Sequence, residues 1–165
     1  NANKPESILE KIAEGKMPDK QENQCKPYIE WHFPKEKKTD AIQIIYSGGS
    51  YMGNGTDGFE VAPARRYLNE MGITVVTMKY RTPRPAAESG LAKHTTAWQD
   101  LQRAIRLVRS KATERGLNPN KIGIMGSSAG GHLTLMGVTS SMHRAYLAID
   151  DVDKLPCNVQ WGIGI

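Results

Sequence analysis

The stretch Lys121-Ile122-Gly123-Ile124-Met125-Gly126-Ser127-Ser128-Ala129-Gly130-Gly131-His132-Leu133 decides how this chain is read. Its first part, Lys121 to Met125, is an apolar run of strand length that follows the turn Leu117-Asn118-Pro119-Asn120. Its second part opens a helix expected from about Ala129 to Thr139. Between them, Gly126-Ser127-Ser128-Ala129-Gly130 fits G-x-S-x-G, in which a serine occupies a sharp strand-to-helix turn and small neighbours avoid backbone clashes. Ser128 is therefore the candidate nucleophile, and the backbone N–H of Ala129, at the helix start, is placed to stabilise an oxyanion. Glycine and serine are common turn residues, so the pentapeptide alone is also compatible with a small polar connection. A dinucleotide-binding turn would need glycine where Ser128 stands, and a phosphate-binding loop would need Gly-Lys-Ser/Thr to follow.

Working outward, a second glycine-rich turn, Ser47-Gly48-Gly49-Ser50-Tyr51, follows the apolar run Ala41 to Tyr46. Such a turn at a strand's C-terminal end can aim N–H groups into the crevice where open parallel sheets bind ligands. Gly49 and Ser50 are the expected further oxyanion donors, and Tyr51 and Met52 are candidates to line an acyl pocket. Standing alone, with Gly53, Gly55 and Gly58 after it, this stretch would read as a surface loop. Paired with Ser128 it reads as the other half of a site.

The remaining pattern supplies the frame. Tyr28 to Phe33 alternates as a strand, and Val61, Ala64, Tyr67, Leu68 and Met71 repeat at helical spacing up to Gly72. Ile73 to Tyr80 reads as a buried strand. A long helix from Thr95 or Thr96 carries the stripe Ala97, Trp98, Leu101, Ala104, Ile105, Val108 and Ala112 and ends near Gly116. Strands alternating with helices of this length predict an α/β fold with a mostly parallel sheet. Residues 1–27 are expected to form an N-terminal arm or short amphipathic helix built on Ile8, Leu9 and Ile12, with 28–165 in a single domain. Val159 to Ile165 reads as a buried strand without a following turn, so a further, C-terminal part of the same domain is expected on sequence outside this chain, on the same polypeptide or a separate one.

Composition narrows the partners. The 165 residues are 39% apolar and 24% charged, and no run approaches the ~18 apolar residues of a membrane span, so no membrane partner is expected. The net charge is +5, but the densest basic cluster, Lys35, Lys37 and Lys38, is interrupted by Glu36 and lacks interleaved aromatics. It reads as a solvated loop, and no nucleic-acid partner is expected. Cys25 and Cys157 have no second Cys or His at ligand spacing, so no metal site is expected; they are open to one disulfide or two thiols. The acidic run Asp150, Asp151 and Asp153 reads as a solvated loop.

At this point the chain resembles a known family. The Gly-Gly turn after a strand, Tyr80-Arg81 closing the next, the Asp100 helix running through Ala104-Ile105, and the segment Lys121 to Leu133 together look like the α/β hydrolases. Within them the chain is most similar to bacterial acetyl-xylan and feruloyl esterase-like proteins and to hormone-sensitive-lipase-like esterases, over about Tyr28 to Ile165. The resemblance implies a three-layer α/β sandwich and a serine carboxylesterase that forms an acyl-enzyme on Ser128, without metal or organic cofactor. It implies an ester substrate, with acetylated or feruloylated plant polysaccharide as the suggested class, and it favours a secreted or periplasmic location. Two departures stand out: Ser47 replaces the family's usual oxyanion-loop His, and Ser50 its third Gly. The family order places the triad acid and His downstream of the nucleophile. None of His32, His94, His132 and His143 has the expected position, and the resemblance makes His132 a structural residue of the motif. Other readings are a peptidase or lipase on the same elbow, or, if the polypeptide truly ends at Ile165, a non-catalytic binding module or an inactive fragment.

Overall fold

The computed structural model of the protein describes residues 7–11 and 27–165. In the described residues, six strands make one sheet: β1 (Ser7–Lys11), β2 (Tyr28–His32), β3 (Ile42–Tyr46), β4 (Thr74–Lys79), β5 (Ile122–Gly126) and β6 (Trp161–Gly164). Their order is β1-β2-β4-β3-β5-β6. β4, β3, β5 and β6 are parallel, while β2 pairs antiparallel with β4 and β1 antiparallel with β2. Helices α1 (Ala62–Glu70), α2 (Thr95–Ala112) and α3 (Ala129–Thr139) provide the crossovers between successive parallel strands. This is the α/β architecture expected from the alternating pattern.

The period of two in the strands sorts side chains between two cores. Ile42, Ile44 and Tyr46 of β3 join Val76, Met78, Ile122 and Ile124 against the α2 stripe, including Ala97, Leu101, Ala104, Ile105 and Val108. On the opposite face Ile45 and Val75 pack with Val61, just before α1, and with Ala64 and Leu68 on the apolar side of that helix. Strands buried on both faces lose the polar alternation, which is why β3 is apolar at four of its five positions, with Gln43 as the exception.

Two expectations change here. The helical reading of Ile8 and Leu9 gives way to an edge strand, because Ser7–Lys11 pairs in register with β2 from Ser7 opposite His32 to Lys11 opposite Tyr28. One short turn cannot sustain a helix on its own, whereas β2 offers a row of backbone partners. Ile12 and Cys25 lie outside the described residues. The acidic run is not a uniformly solvated loop either, since Asp153 is fully buried and held by Tyr146, Arg103 and the Ile149 N–H.

The chain order matters for the site. From β3 the chain crosses to β4 on one side, and later returns to β5 on β3's other side. The C-terminal ends of β3 and β5 therefore flank the point where the winding reverses, the place where open parallel sheets form a crevice.

Candidate active site

Both glycine-rich turns emerge at that crevice, one from β3 and one from β5. Ser128 caps α3 with φ 52° and ψ −118°, a conformation costly for any residue with a Cβ. The turn is kept sharp by Gly126, where an added Cβ would lie 2.6 Å from the Gly130 carbonyl oxygen and 2.6 Å from the Tyr46 ring. The Ser128 N–H donates to the Ile165 carbonyl at 2.7 Å, and the Ser128 carbonyl accepts from the His132 N–H at 3.0 Å. Ser128 itself is exposed. The backbone of the turn is thus tied down while the residue stays exposed.

The two turns meet. A Cβ on Gly48 would come within 2.7 Å of the Ser127 carbonyl oxygen and 2.9 Å of Ser128 Cβ. Beyond Gly48 the backbone passes through three successive positive φ values, 99° at Gly49, 54° at Ser50 and 60° at Tyr51. Gly49 and Ser50 are exposed at the crevice, as is Met52, whereas Tyr51 is buried. The structure therefore brings Gly48 against Ser128 and Ala129, with Gly49 and Ser50 following it along the same turn, Tyr51 buried and Met52 exposed.

Several side chains hold the Ser47–Gly53 turn in this shape. Ser47 Oγ accepts from the Gly55 N–H at 3.1 Å, so the residue standing in place of the family's His still anchors the loop. The buried Tyr80 hydroxyl donates to the Ser47 and Gly48 carbonyls at 3.0 and 2.9 Å, and Glu60 accepts from the Gly48 N–H at 2.7 Å. Burial above all, with the Glu60 charge adding to it, pushes the Tyr80 hydroxyl up to about 12, so it remains a donor at neutral pH. The Tyr51 hydroxyl hydrogen-bonds His132 Nδ1 at 2.8 Å, and Arg84 donates its N–H to the Tyr51 carbonyl. Sequence reasoning missed Tyr80 and Glu60 as loop anchors. Tyr80 carried a signal in its place at a strand end, while Glu60 carried none.

The remaining candidates fall elsewhere. Arg81 is buried against Asp100, with Nε 2.9 Å from Oδ1 and its N–H on Oδ2 at 2.7 Å, a structural pair that fastens the end of β4 to α2. His94 lies beside His132, their ring centroids 5.3 Å apart, and burial followed by the His132 charge holds its pKa below the usual range. His32 is buried on β2 and bonds Thr77. Among the described residues no histidine hydrogen-bonds the Ser128 hydroxyl, and no three His, Cys, Asp or Glu are grouped to hold a metal. Among the described residues no helix is long and apolar enough to cross a membrane.

Comparison with known proteins bears on the family and the fold. The BD-FAE family model matches residues 29–156, from β2 through the segment after α3. The chain belongs to the BD-FAE family. Over 112 residues, 67% of this chain, it is 34% identical to an acetylxylan esterase of Xylanibacter ruminicola, of which the match covers 21%. Among solved structures, an acetyl ester-xyloside bifunctional hydrolase from Caldicellulosiruptor lactoaceticus superposes with TM-score 0.74 at 25% identity, covering 99% of this chain and 58% of that one. Thermogutta terrifontis esterase 2 superposes with TM-score 0.74 at 22% identity over 98% of this chain and 56% of its own. The fold of this BD-FAE chain is that of the α/β hydrolases, and the chain spans just over half the length of these solved neighbours.

Proposed function

We propose that this BD-FAE protein hydrolyses carboxylic esters through an acyl-enzyme on Ser128. The observation that carries the reading is the meeting of two turns at the reversal point of the sheet, an exposed serine held at φ 52° against a glycine turn at positive φ. Ser128 Oγ attacks the ester carbonyl, and the N–H groups of Ala129, Gly49 and Ser50 bind the resulting oxyanion. A histidine, oriented by a carboxylate, takes the serine proton and passes it to the departing alcohol. Water then cleaves the acyl-serine, returning the carboxylic acid and the free hydroxyl. We place this His and carboxylate on sequence beyond the 165 residues, consistent with neighbours that are considerably longer.

Short acyl groups, acetyl first, on a carbohydrate alcohol are the proposed substrate class. The support is the likeness to an acetylxylan esterase and to an acetyl ester-xyloside hydrolase. Tyr51 and Met52 are the proposed walls of the acyl side. The test is fluorophosphonate labelling with the adduct mapped by peptide, alongside acetate release from acetylated xylan. An adduct on Ser128 and loss of both signals in Ser128→Ala are expected. Acetate release unchanged in Ser128→Ala would overturn the reading.

A further inference from the structure

The Ser47-Gly48-Gly49 backbone consists of two consecutive peptide planes, and both are held by side chains remote in sequence. In the first plane, the Ser47 carbonyl accepts from the Tyr80 hydroxyl and the Gly48 N–H donates to Glu60. Carbonyl and N–H of one trans peptide point in opposite directions, so Tyr80 and Glu60 grip this plane from its two ends. In the second plane, the Gly48 carbonyl accepts from the same Tyr80 hydroxyl. The Thr82–Pro83 bond is the one cis peptide among the described residues, so the Gly48–Gly49 bond is trans and its N–H points away from Tyr80. Gly48 itself lies against Ser127 and Ser128, within the reach of a methyl group. Tyr80 is fixed in turn, fully buried and with its own carbonyl accepting from Asn54 Nδ2 at 2.8 Å. The engagement of the Gly48 N–H with Glu60 also assigns the loop's donors, since that amide is already used and the Gly49 N–H is the next along the chain.

We propose that Tyr80 and Glu60 are positioning residues for ester hydrolysis, fixing the peptide planes on either side of Gly48 so that the Gly49 N–H is aimed at the oxyanion formed on attack by Ser128. The inference rests on Ser128 being the nucleophile. A donor held in place before reaction needs no reorganisation as charge develops, and losing one such donor costs roughly a hundred- to a thousandfold in rate. Loosening a donor without deleting it should cost less, about 10- to 100-fold, and the loss should fall on the transition state and not on substrate binding.

The test uses Tyr80→Phe, Glu60→Leu and Glu60→Gln in the full-length protein, with Ser128→Ala as reference. Turnover of p-nitrophenyl acetate is measured together with the affinity for a methyl trifluoromethyl ketone, which adds to the serine to give a tetrahedral oxyanion. For Tyr80→Phe and Glu60→Leu, kcat and ketone affinity should fall together by about 10- to 100-fold, with KM within about twofold of wild type. Glu60→Gln keeps an oxygen acceptor for the Gly48 N–H and should recover most of the loss. Should Tyr80→Phe lack a cooperative melting transition, the Glu60→Leu and Glu60→Gln pair decides. Wild-type kcat in Glu60→Leu, or a fall in kcat with unchanged ketone affinity, overturns the inference while an inactive Ser128→Ala leaves the nucleophile in place. No turnover by the wild type, or full turnover by Ser128→Ala, overturns the nucleophile and this inference with it.

Discussion

At Ser128 the backbone angle and the proposed chemistry pull in opposite directions. A φ of 52° with ψ −118° is unfavourable for a side chain bearing Cβ, by roughly 1–3 kcal/mol, and the fold carries that strain at an exposed serine. Ser128→Ala and Ser128→Gly both delete the hydroxyl, but only glycine removes the Cβ. Allowing for glycine's greater loss of chain entropy, Ser128→Gly should be more stable than Ser128→Ala by about 1 kcal/mol, with neither reacting with fluorophosphonate. A urea midpoint for Ser128→Gly below that of Ser128→Ala would show that the turn is unstrained. His32 gives a second prediction at this scale. Burial first, then the Arg65 charge against an opposing Asp57, pushes its pKa down to about 4, and the neutral ring bonds Thr77 with Glu30 3.6 Å away. Unfolding restores the ordinary value of about 6.5, so between roughly pH 6.5 and 4 the unfolded chain binds the extra proton. Stability should therefore fall as the pH is lowered through that window, by on the order of 2–3 kcal/mol from this group. Urea midpoints at pH 7.5 and 4.5 should drop further in the wild type than in His32→Gln, and identical drops would remove His32 from the account.

Helix α2 shows what its own sequence could and could not say. Its apolar stripe is the core face, as the spacing predicts, but the opposite face is buried too. Arg103 makes a two-pronged bond to Asp150 at 2.7 and 2.8 Å and reaches Asp153 at 3.0 Å. One turn on, Arg106 donates to the Leu155 carbonyl and the Tyr146 hydroxyl, and Arg109 donates to the carbonyls of Pro119, Pro156 and Asn158. Three arginines at a spacing of three thus bind segment 146–158 along the helix. Burial alone would raise the Asp153 pKa, but bonds from Tyr146, the Ile149 N–H and Arg103 outweigh it and hold the pKa below the ordinary value. Arg103→Met should cost about 3–5 kcal/mol by leaving that carboxylate buried without its guanidinium. Arg103→Lys should recover only part, because an ammonium cannot make the two-pronged contact. The expected readout is a lower urea midpoint with faster amide exchange across 146–158, and a loss under about 1 kcal/mol would contradict it. The stripe, the helix limits at Ala129 and Thr139 and the serine turn were legible because each is a local pattern. The arginine face was not, since a run of charges reads as solvated until the segment that covers it is known. The same holds for Tyr80 and Glu60, which meet the Ser47–Gly48 peptide from 33 and 12 residues away. Ser7–Lys11 follows suit, a strand only because β2 has an edge to offer.

Across the whole sheet, the seat of β6 and the geometry of the serine turn are joined. The register sets His32, Val75, Gln43, Gly123 and Trp161 in one row from β2 to β6. Trp161 lies over Gly123 so closely that an added Cβ would stand 1.9 Å from its Nε1, and that nitrogen donates to Gln43 Oε1 at 2.8 Å. At the other end of the same strand pair, the Ile165 N–H donates to the Gly126 carbonyl at 3.0 Å and the Ile165 carbonyl accepts from the Ser128 N–H at 2.7 Å. A side chain at 123 must displace the indole, and β6 moves as a strand because its ladder to β5 is continuous from Trp161 to Gly164. Gly123→Ala should therefore lower stability by about 1–3 kcal/mol through overpacking. It should also slow fluorophosphonate labelling of Ser128 by ~10- to 100-fold, although position 123 lies at the far end of β5, because sub-ångström displacement of a reacting group is costly. Adding Trp161→Leu to Gly123→Ala makes room for the new methyl group, so the double variant should label faster than Gly123→Ala alone, a non-additivity that a simple sum of two defects cannot produce. Labelling of Gly123→Ala at the wild-type rate would show that the serine turn holds its shape without the seat of β6.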